Sequence, residues 1–242
     1  MSHTETALPP ISEHDRYIGQ SVSRPNAVRL AEGRGTFVDD IDMPRMVHVV
    51  YWRSPSAHAR ITRIDASFAR LMPGIVAVVD GVEMAKVCKP WVATLSHMVG
   101  MKSAPQYPLA IERARWQGEP VVAVVADTRA QAEDALQYLV VEWEALHAVV
   151  ETETALDATT PIIHPDLGDN LCFTRSLDTG GVDDAFARAD AVAEVTFQFG
   201  RHTGVTLEPR CQISDYNPSE KRLTVHHSQQ APHMMQDLYS RQ

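Results

Sequence analysis

The residues with chemistry to offer are eleven histidines, a Glu-Pro-Arg triplet and a pair of adjacent glutamines. His226, His227 and His233 form the densest imidazole group. A metal would need their nitrogens to converge. Neighbouring residues of a strand point to opposite faces, so His226 and His227 are turned away from any shared ion. His58 follows the turn Ser54-Pro55-Ser56-Ala57, where a structural hydrogen bond is the plainer expectation than a catalytic base. In Glu208-Pro209-Arg210 the proline holds Glu208 extended. Arg210 could pair with an acid, and a buried ion pair is favoured over catalysis. Ser228-Gln229-Gln230-Ala231-Pro232-His233 leaves an expected strand and opens an expected helix. A glutamine amide both donates and accepts, and a helix N-terminus suits an anion or an oxo group. Composition alone would leave this stretch as a polar turn.

Standard catalytic spacings are absent. The chain has no G-x-x-x-x-G-K, no G-x-G-x-x-G after a strand, no G-x-S-x-G and no H-E-x-x-H. Asp39-Asp40-Ile41-Asp42 could suggest a metal, but turn and cap residues are the simpler reading. Cys88, Cys172 and Cys211 lie far apart without a C-x-x-C pair. A zinc or iron–sulfur site made by this chain alone is therefore not expected, and each thiol reads as buried or inert.

The elements that must position these residues are clearest from Trp116 to Val150. Val121 to Ala126 is an unbroken apolar run, predicting a strand buried on both faces. Asp127 and Thr128 are candidate caps, and Thr128 to Gln131 has capping-box spacing. Ala132, Ala135, Leu136 and Leu139 then form one helical stripe. Val141 and Trp143 alternate with Glu142 and Glu144, as on a half-exposed strand.

Upstream, residues 1–32 are polar and proline-interrupted, predicting an extended arm. Strands are expected over Met46 to Trp52, Arg60 to Asp65 and Ile75 to Val79, the last one buried. Short helices are expected over Ala66 to Leu71 and within Val82 to Val87. Pro90 to Arg113 reads as an irregular excursion with one short strand near Leu109. Glu151 to Gly181 reads as a linker. A short helix over Asp183 to Ala189 follows, then strands at Ala191 to Phe199, Cys211 to Tyr216 and Leu223 to His227. Ala231 to Gln242 has a helical composition. Three strands and one helix do not make a convincing closed domain.

The 242 residues allow one domain or two, and 44% hydrophobic content can build a core. A net charge of −9 argues against a nucleic-acid surface. No run approaches the ~20 apolar residues that span a bilayer. The N-terminus lacks a basic region followed by an apolar core, so no signal peptide is read there. A reducing cytoplasm is the expected location.

Taken in order, several segments resemble the large subunits of molybdenum hydroxylases: xanthine dehydrogenase, aldehyde oxidase and aerobic carbon monoxide dehydrogenase. The longest is Gly118-Glu119-Pro120-Val121-Val122-Ala123-Val124-Val125-Ala126, continuing to Val141-Glu142-Trp143-Glu144. Before it come Gly35-Thr36-Phe37-Val38-Asp39-Asp40, Ser56-Ala57-His58-Ala59-Arg60-Ile61 and Pro73-Gly74-Ile75-Val76-Ala77-Val78. After it come Val182-Asp183-Asp184-Ala185-Phe186, Leu207-Glu208-Pro209-Arg210 and Ser228-Gln229-Gln230-Ala231-Pro232-His233. Each match is weak alone; the ordered set is specific.

The resemblance implies an α+β chain: an α/β hammerhead domain followed by the incomplete start of a molybdenum-cofactor-binding domain. The expected division is an arm at 1–32, the hammerhead at 33–146, a linker at 147–181 and the cofactor-domain start at 182–242. Family large subunits hold a molybdenum–molybdopterin cofactor, often as the cytosine dinucleotide. They hydroxylate or oxidise a small carbon substrate with water as oxygen source. Electrons leave through iron–sulfur clusters and FAD on partner subunits or domains.

One family cofactor residue falls within the chain: a glutamine that hydrogen-bonds an oxo ligand of molybdenum, matching Gln230. The family pattern usually has Thr where this chain has Gln229. The family's glutamate base lies near the end of the large subunit, beyond these residues. No catalytic residue and no direct metal ligand is therefore expected here, and the isolated chain is expected to be inactive. The remainder of the large subunit, a flavin subunit and an iron–sulfur subunit are the implied partners. The rival readings are a stand-alone hammerhead binding or assembly module and a self-contained enzyme using Glu208 with a histidine.

Overall fold

The computed structural model describes residues 17–93 and 98–241. Of the expected arm, residues 1–16 lie outside that description. Contacts divide the chain into two compact units: Met43–Thr203 with Ala231–Gln242, and the described part of Met1–Asp42 with Gly204–Gln230.

The larger unit is built on two three-stranded sheets. The first has β5 (Pro120–Ala126) at its centre, antiparallel to β1 (His48–Arg53) on one side and β3 (Ile75–Asp80) on the other. The second has β2 (Ala59–Asp65) at its centre, between β4 (Arg113–Ala114) and β6 (Val140–Ala145). The apolar run of β5 makes it the core strand, with Val121, Val122, Val124 and Ala126 all fully buried. Burying a valine side chain contributes about 1.5–3 kcal/mol, so this one strand carries much of the drive to fold.

Helix α3 (Arg129–Leu136) packs against the first sheet. Thr128 is its N-cap, its hydroxyl accepting from the Gln131 N–H at 3.3 Å. Ala132 and Ala135 are fully buried and let the helix approach the strands closely. Ile61, Ile64 and Trp143 of the second sheet reach the same core, where the rings of Trp52 and Trp143 meet at 5.0 Å between centroids.

The polar alternates of β6 find partners across the strand pair. Arg60 faces Glu144 and Arg63 faces Glu142, with ion pairs at 3.5 and 3.0 Å. All four side chains are exposed, so these pairs add little stability and mainly favour one register. Strand, helix and strand from 120 to 145 do not share a sheet. β5 lies in the first sheet and β6 in the second, so the chain changes sheet through α3.

Helix α2 (Gly81–Met84) follows β3 directly. Asp80 caps it, accepting from the Glu83 N–H at 2.8 Å. β3 is an edge strand and only partly buried, where its apolar sequence predicts full burial. The Ala66 to Leu71 stretch forms a single 3-10 turn, Ala69–Leu71. No strand forms near Leu109. Its side chain is fully buried as a plug, and the short strand is β4, four residues further on. There the chain can add to the free edge of β2.

Residues 151–181 are irregular chain with one 3-10 turn, Pro165–Leu167. Helix α4 (Val182–Ala187) forms as expected, although its N-cap is Gly181 and no side chain caps it. Ala191 to Phe199 is extended in sequence pattern but is not a strand. No neighbouring strand among the described residues pairs with it, and alternation without a partner leaves both faces exposed. α5 (Pro232–Tyr239) begins with Pro232 in its first turn, where a missing N–H costs nothing.

The smaller unit holds α1 (Ala27–Ala31) and the hairpin of β7 (Gln212–Asn217) and β8 (Arg222–His227). α1 lies within the stretch expected to be an extended arm; Val28, Leu30 and their helical neighbours are exposed. The hairpin turn is fixed by the Asn217 carboxamide oxygen, which accepts from the N–H groups of Ser219 and Glu220.

Candidate functional site

Several of the residues singled out for chemistry lie at one end of the hairpin, whereas His58 and His233 belong to the larger unit. Pairing ends at Gln212 opposite His227, and the two chains are then held by a side chain. Ser228 donates its backbone N–H to the Cys211 carbonyl at 3.1 Å. Its hydroxyl accepts from the Cys211 N–H at 2.8 Å and donates to the Pro209 carbonyl at 2.9 Å. Ser228 thereby continues the hairpin by one side-chain-mediated step and fixes where the next residues emerge. Those residues are Gln229, half-buried and engaged, and Gln230, exposed in a bend.

Glu208 is also committed. Its carboxylate accepts from the Val38 N–H at 3.0 Å, at the start of the 3-10 turn Val38–Asp40. The expected Glu208–Arg210 ion pair does not form: Arg210 is exposed, and Glu208 has a backbone donor instead. The acidic Asp39-Asp40 stretch behaves as turn chemistry, with Asp40 accepting from the Phe37 N–H at 2.8 Å. The Cys211 thiol lies 3.9 Å from the Asp39 carboxylate. Burial pushes that thiol upward, and the negative charge of Asp39 adds to the shift, so Cys211 stays protonated and unreactive at neutral pH. None of the three cysteines is fully buried, and Cys172 is exposed, donating weakly to the Lys102 carbonyl.

His226 and His227 pair with Ile213 and Gln212 in the ladder, as successive strand residues on opposite faces. Among the described residues no three His, Cys, Asp or Glu side chains gather as a metal-binding group. The chemical capacity of this end of the hairpin is therefore that of amides. Gln230, exposed in a bend two residues beyond Ser228, offers an amide donor and acceptor. Sequence reasoning missed Ser228 and its role. The available signal was a serine directly after an alternating strand, a position where a hydroxyl can replace a ladder bond.

Two family models match the chain. Residues 32–147 match the a/b hammerhead domain of aldehyde oxidase and xanthine dehydrogenase, and residues 163–242 match the molybdopterin cofactor-binding domain. The chain belongs to the molybdenum hydroxylase large-subunit family. Its fold is accordingly an α/β hammerhead followed by the start of a molybdenum-cofactor-binding domain.

Among curated relatives, the nicotine 6-hydroxylase large subunit of Paenarthrobacter nicotinovorans is 35% identical over 225 residues. That match covers 93% of this chain and 27% of the relative. The carbon monoxide dehydrogenase large chain of Afipia carboxidovorans is 29% identical over 236 residues, covering 92% of this chain and 28% of the relative. Among solved structures, quinoline 2-oxidoreductase of Pseudomonas putida 86 superposes with a TM-score of 0.79 at 34% identity, over 88% of this chain and 27% of that one. The chain thus spans about a quarter of the length of these hydroxylases. No helix among the described residues is long and apolar enough to cross a membrane.

Proposed function

We propose that this chain is the part of a molybdenum hydroxylase large subunit that supplies the hammerhead scaffold and one cofactor contact. The whole enzyme would hydroxylate or oxidise a small carbon substrate, with carbon monoxide, aldehydes and N-heterocycles as candidate classes. The molybdenum–molybdopterin group, in its cytosine dinucleotide form, supplies the two-electron redox chemistry. Partner flavin and iron–sulfur subunits carry the electrons away, and the complex works in the cytoplasm. Residues 33–146 act as the hammerhead domain, 147–181 as the linker, and 182–242 as the opening of the cofactor domain, with 1–32 as an arm.

The observation that carries the site is Gln230, an exposed carboxamide directly beyond the Ser228 staple. An amide N–H is the right chemistry for an oxygen on the cofactor, since it donates without bringing charge. The strand Gln212–Asn217 and the Ser228 hydroxyl fix the backbone that presents it; Glu208 anchors the preceding segment to Val38. These residues orient and hydrogen-bond. Glu208 and Ser228 are committed to backbone partners, so we assign substrate activation to residues elsewhere in the large subunit.

Support for further chain comes from the 191–207 stretch. Val195, Phe197, Phe199 and Leu207 are 64%, 78%, 90% and 98% exposed. Val195, Phe197 and Phe199 fall at every second position, one face of an extended chain, and that face is uncovered. The remainder of the large subunit is the proposed occupant.

The test is Gln230→Ala in the intact large subunit assembled with its partners. Molybdenum content should stay near the wild-type level, while turnover falls about 10- to 1000-fold, the usual cost of one preorganised donor. Unchanged turnover with unchanged molybdenum would remove Gln230 from the site.

A further inference from the structure

A second polar cluster lies in the hammerhead, at one end of the second sheet. In the β2–β4 pair Ala59 faces Ala114 and Arg60 faces Arg113. One further step of that register sets His58 opposite Arg115, which places their side chains on the same face of the sheet. His58 is only 6% exposed. Its Nδ1 lies 2.8 Å from the His147 carbonyl oxygen. A carbonyl only accepts, so Nδ1 carries the ring proton, and in the neutral ring Nε2 is a bare lone pair. Among the described residues, His58 Nε2 and Arg115 Nε are buried without a hydrogen-bond partner. One is an acceptor lacking a donor, and the other a donor lacking an acceptor.

We propose that His58 and Arg115 form a buried site for one small neutral ligand that both donates and accepts: an ordered water accepting from Arg115 Nε and donating to His58 Nε2. The chemistry of the pair selects among ligands. A metal ion would suit the lone pair of Nε2, but the guanidinium beside it repels a cation. An anion would suit Arg115, but the same lone pair repels it. The Glu119 carboxylate is moreover already nearby, accepting the Arg115 backbone N–H at 2.6 Å. A single water reaches the minimum of two polar partners that a buried water needs, and it satisfies two groups that are otherwise costly to bury.

His164 lies near the same cluster: burial and then the positive charge of Arg115 lower its pKa, with Asp166 opposing them.

The decisive experiment is a crystal structure of the intact protein at a resolution that shows waters. One density peak within hydrogen-bond distance of both His58 Nε2 and Arg115 Nε is expected. A direct protein partner on either atom, or no peak, overturns the proposal. Thermal melting gives an independent reading through His58→Phe, Arg115→Met and the double variant. Each single change strands the other group, so both should lower the melting temperature. The double variant should lose clearly less than the sum of the two. Strictly additive losses would refute the shared site, and if a variant does not fold, the density test still decides.

Discussion

Replacing Gly81 with alanine should destabilise the hammerhead, although alanine is the better helix former. Gly81 is buried and opens α2, immediately after the Asp80 cap. A Cβ built there would stand 2.3 Å from the Ala110 carbonyl oxygen, 2.8 Å from the Ala110 carbonyl carbon and 3.0 Å from the Leu109 oxygen. All three are backbone atoms, so no side chain can rotate away. The Ala110 N–H donates to the Pro120 carbonyl at 2.8 Å, which ties that backbone to β5, and Leu109 is fully buried beside it. Relief of the clash must therefore move either α2 or the 109–110 plug.

Overpacking of this kind costs about 1–3 kcal/mol. Alanine recovers at most about 1 kcal/mol of helix propensity, and less in a first turn. A net loss of roughly 1–2 kcal/mol lowers the melting temperature by roughly 2–8 °C in a unit of this size. The assay is thermal unfolding followed by far-ultraviolet circular dichroism. Gly200→Ala is the control, since no atom lies within 4 Å of its built Cβ, and it should stay within about 0.5 kcal/mol of wild type. A Gly81→Ala protein that melts with wild type, or above it, would refute the close-packing account of this corner.

Two further outcomes follow from local chemistry. Thr128→Ala removes the hydroxyl that accepts from Gln131 and should cost about 1 kcal/mol, read by urea denaturation; Thr128→Ser should restore most of it. His164 has its pKa held below the ordinary 6.5, first by burial and then by the positive charge of Arg115, with Asp166 opposing. The unfolded chain therefore takes up this proton first, so stability is full above about pH 6.5 and falls as pH drops through the folded value. Melting temperature should fall less between about pH 7.5 and pH 5.5 in His164→Gln than in wild type; an identical fall in both would show that other groups set the acid response.

Where local pattern and tertiary environment agree, the elements were legible in the residues themselves. Val121 to Ala126, the Thr128 cap and the Ala132–Ala135 stripe all form as their spacing predicts. Periodicity does not name a strand's neighbour, which is why β5 and β6 read as one unit but belong to different sheets. The same blindness made Ala191 to Phe199 look like a strand and hid β4, whose two residues are extended only because β2 offers an edge. At the site, Gln230 was visible only through the resemblance. Glu208 and Ser228 needed the structure, because their partners, Val38 and the Pro209–Cys211 backbone, are 170 and 17–19 residues away.

The most direct test is the metal content of the intact large subunit that carries this sequence, purified from a host able to make the pterin cofactor. About one molybdenum and one pterin per polypeptide is the expected result, in line with a single cofactor site per large subunit. Stoichiometric zinc with no molybdenum and no pterin would contradict the account.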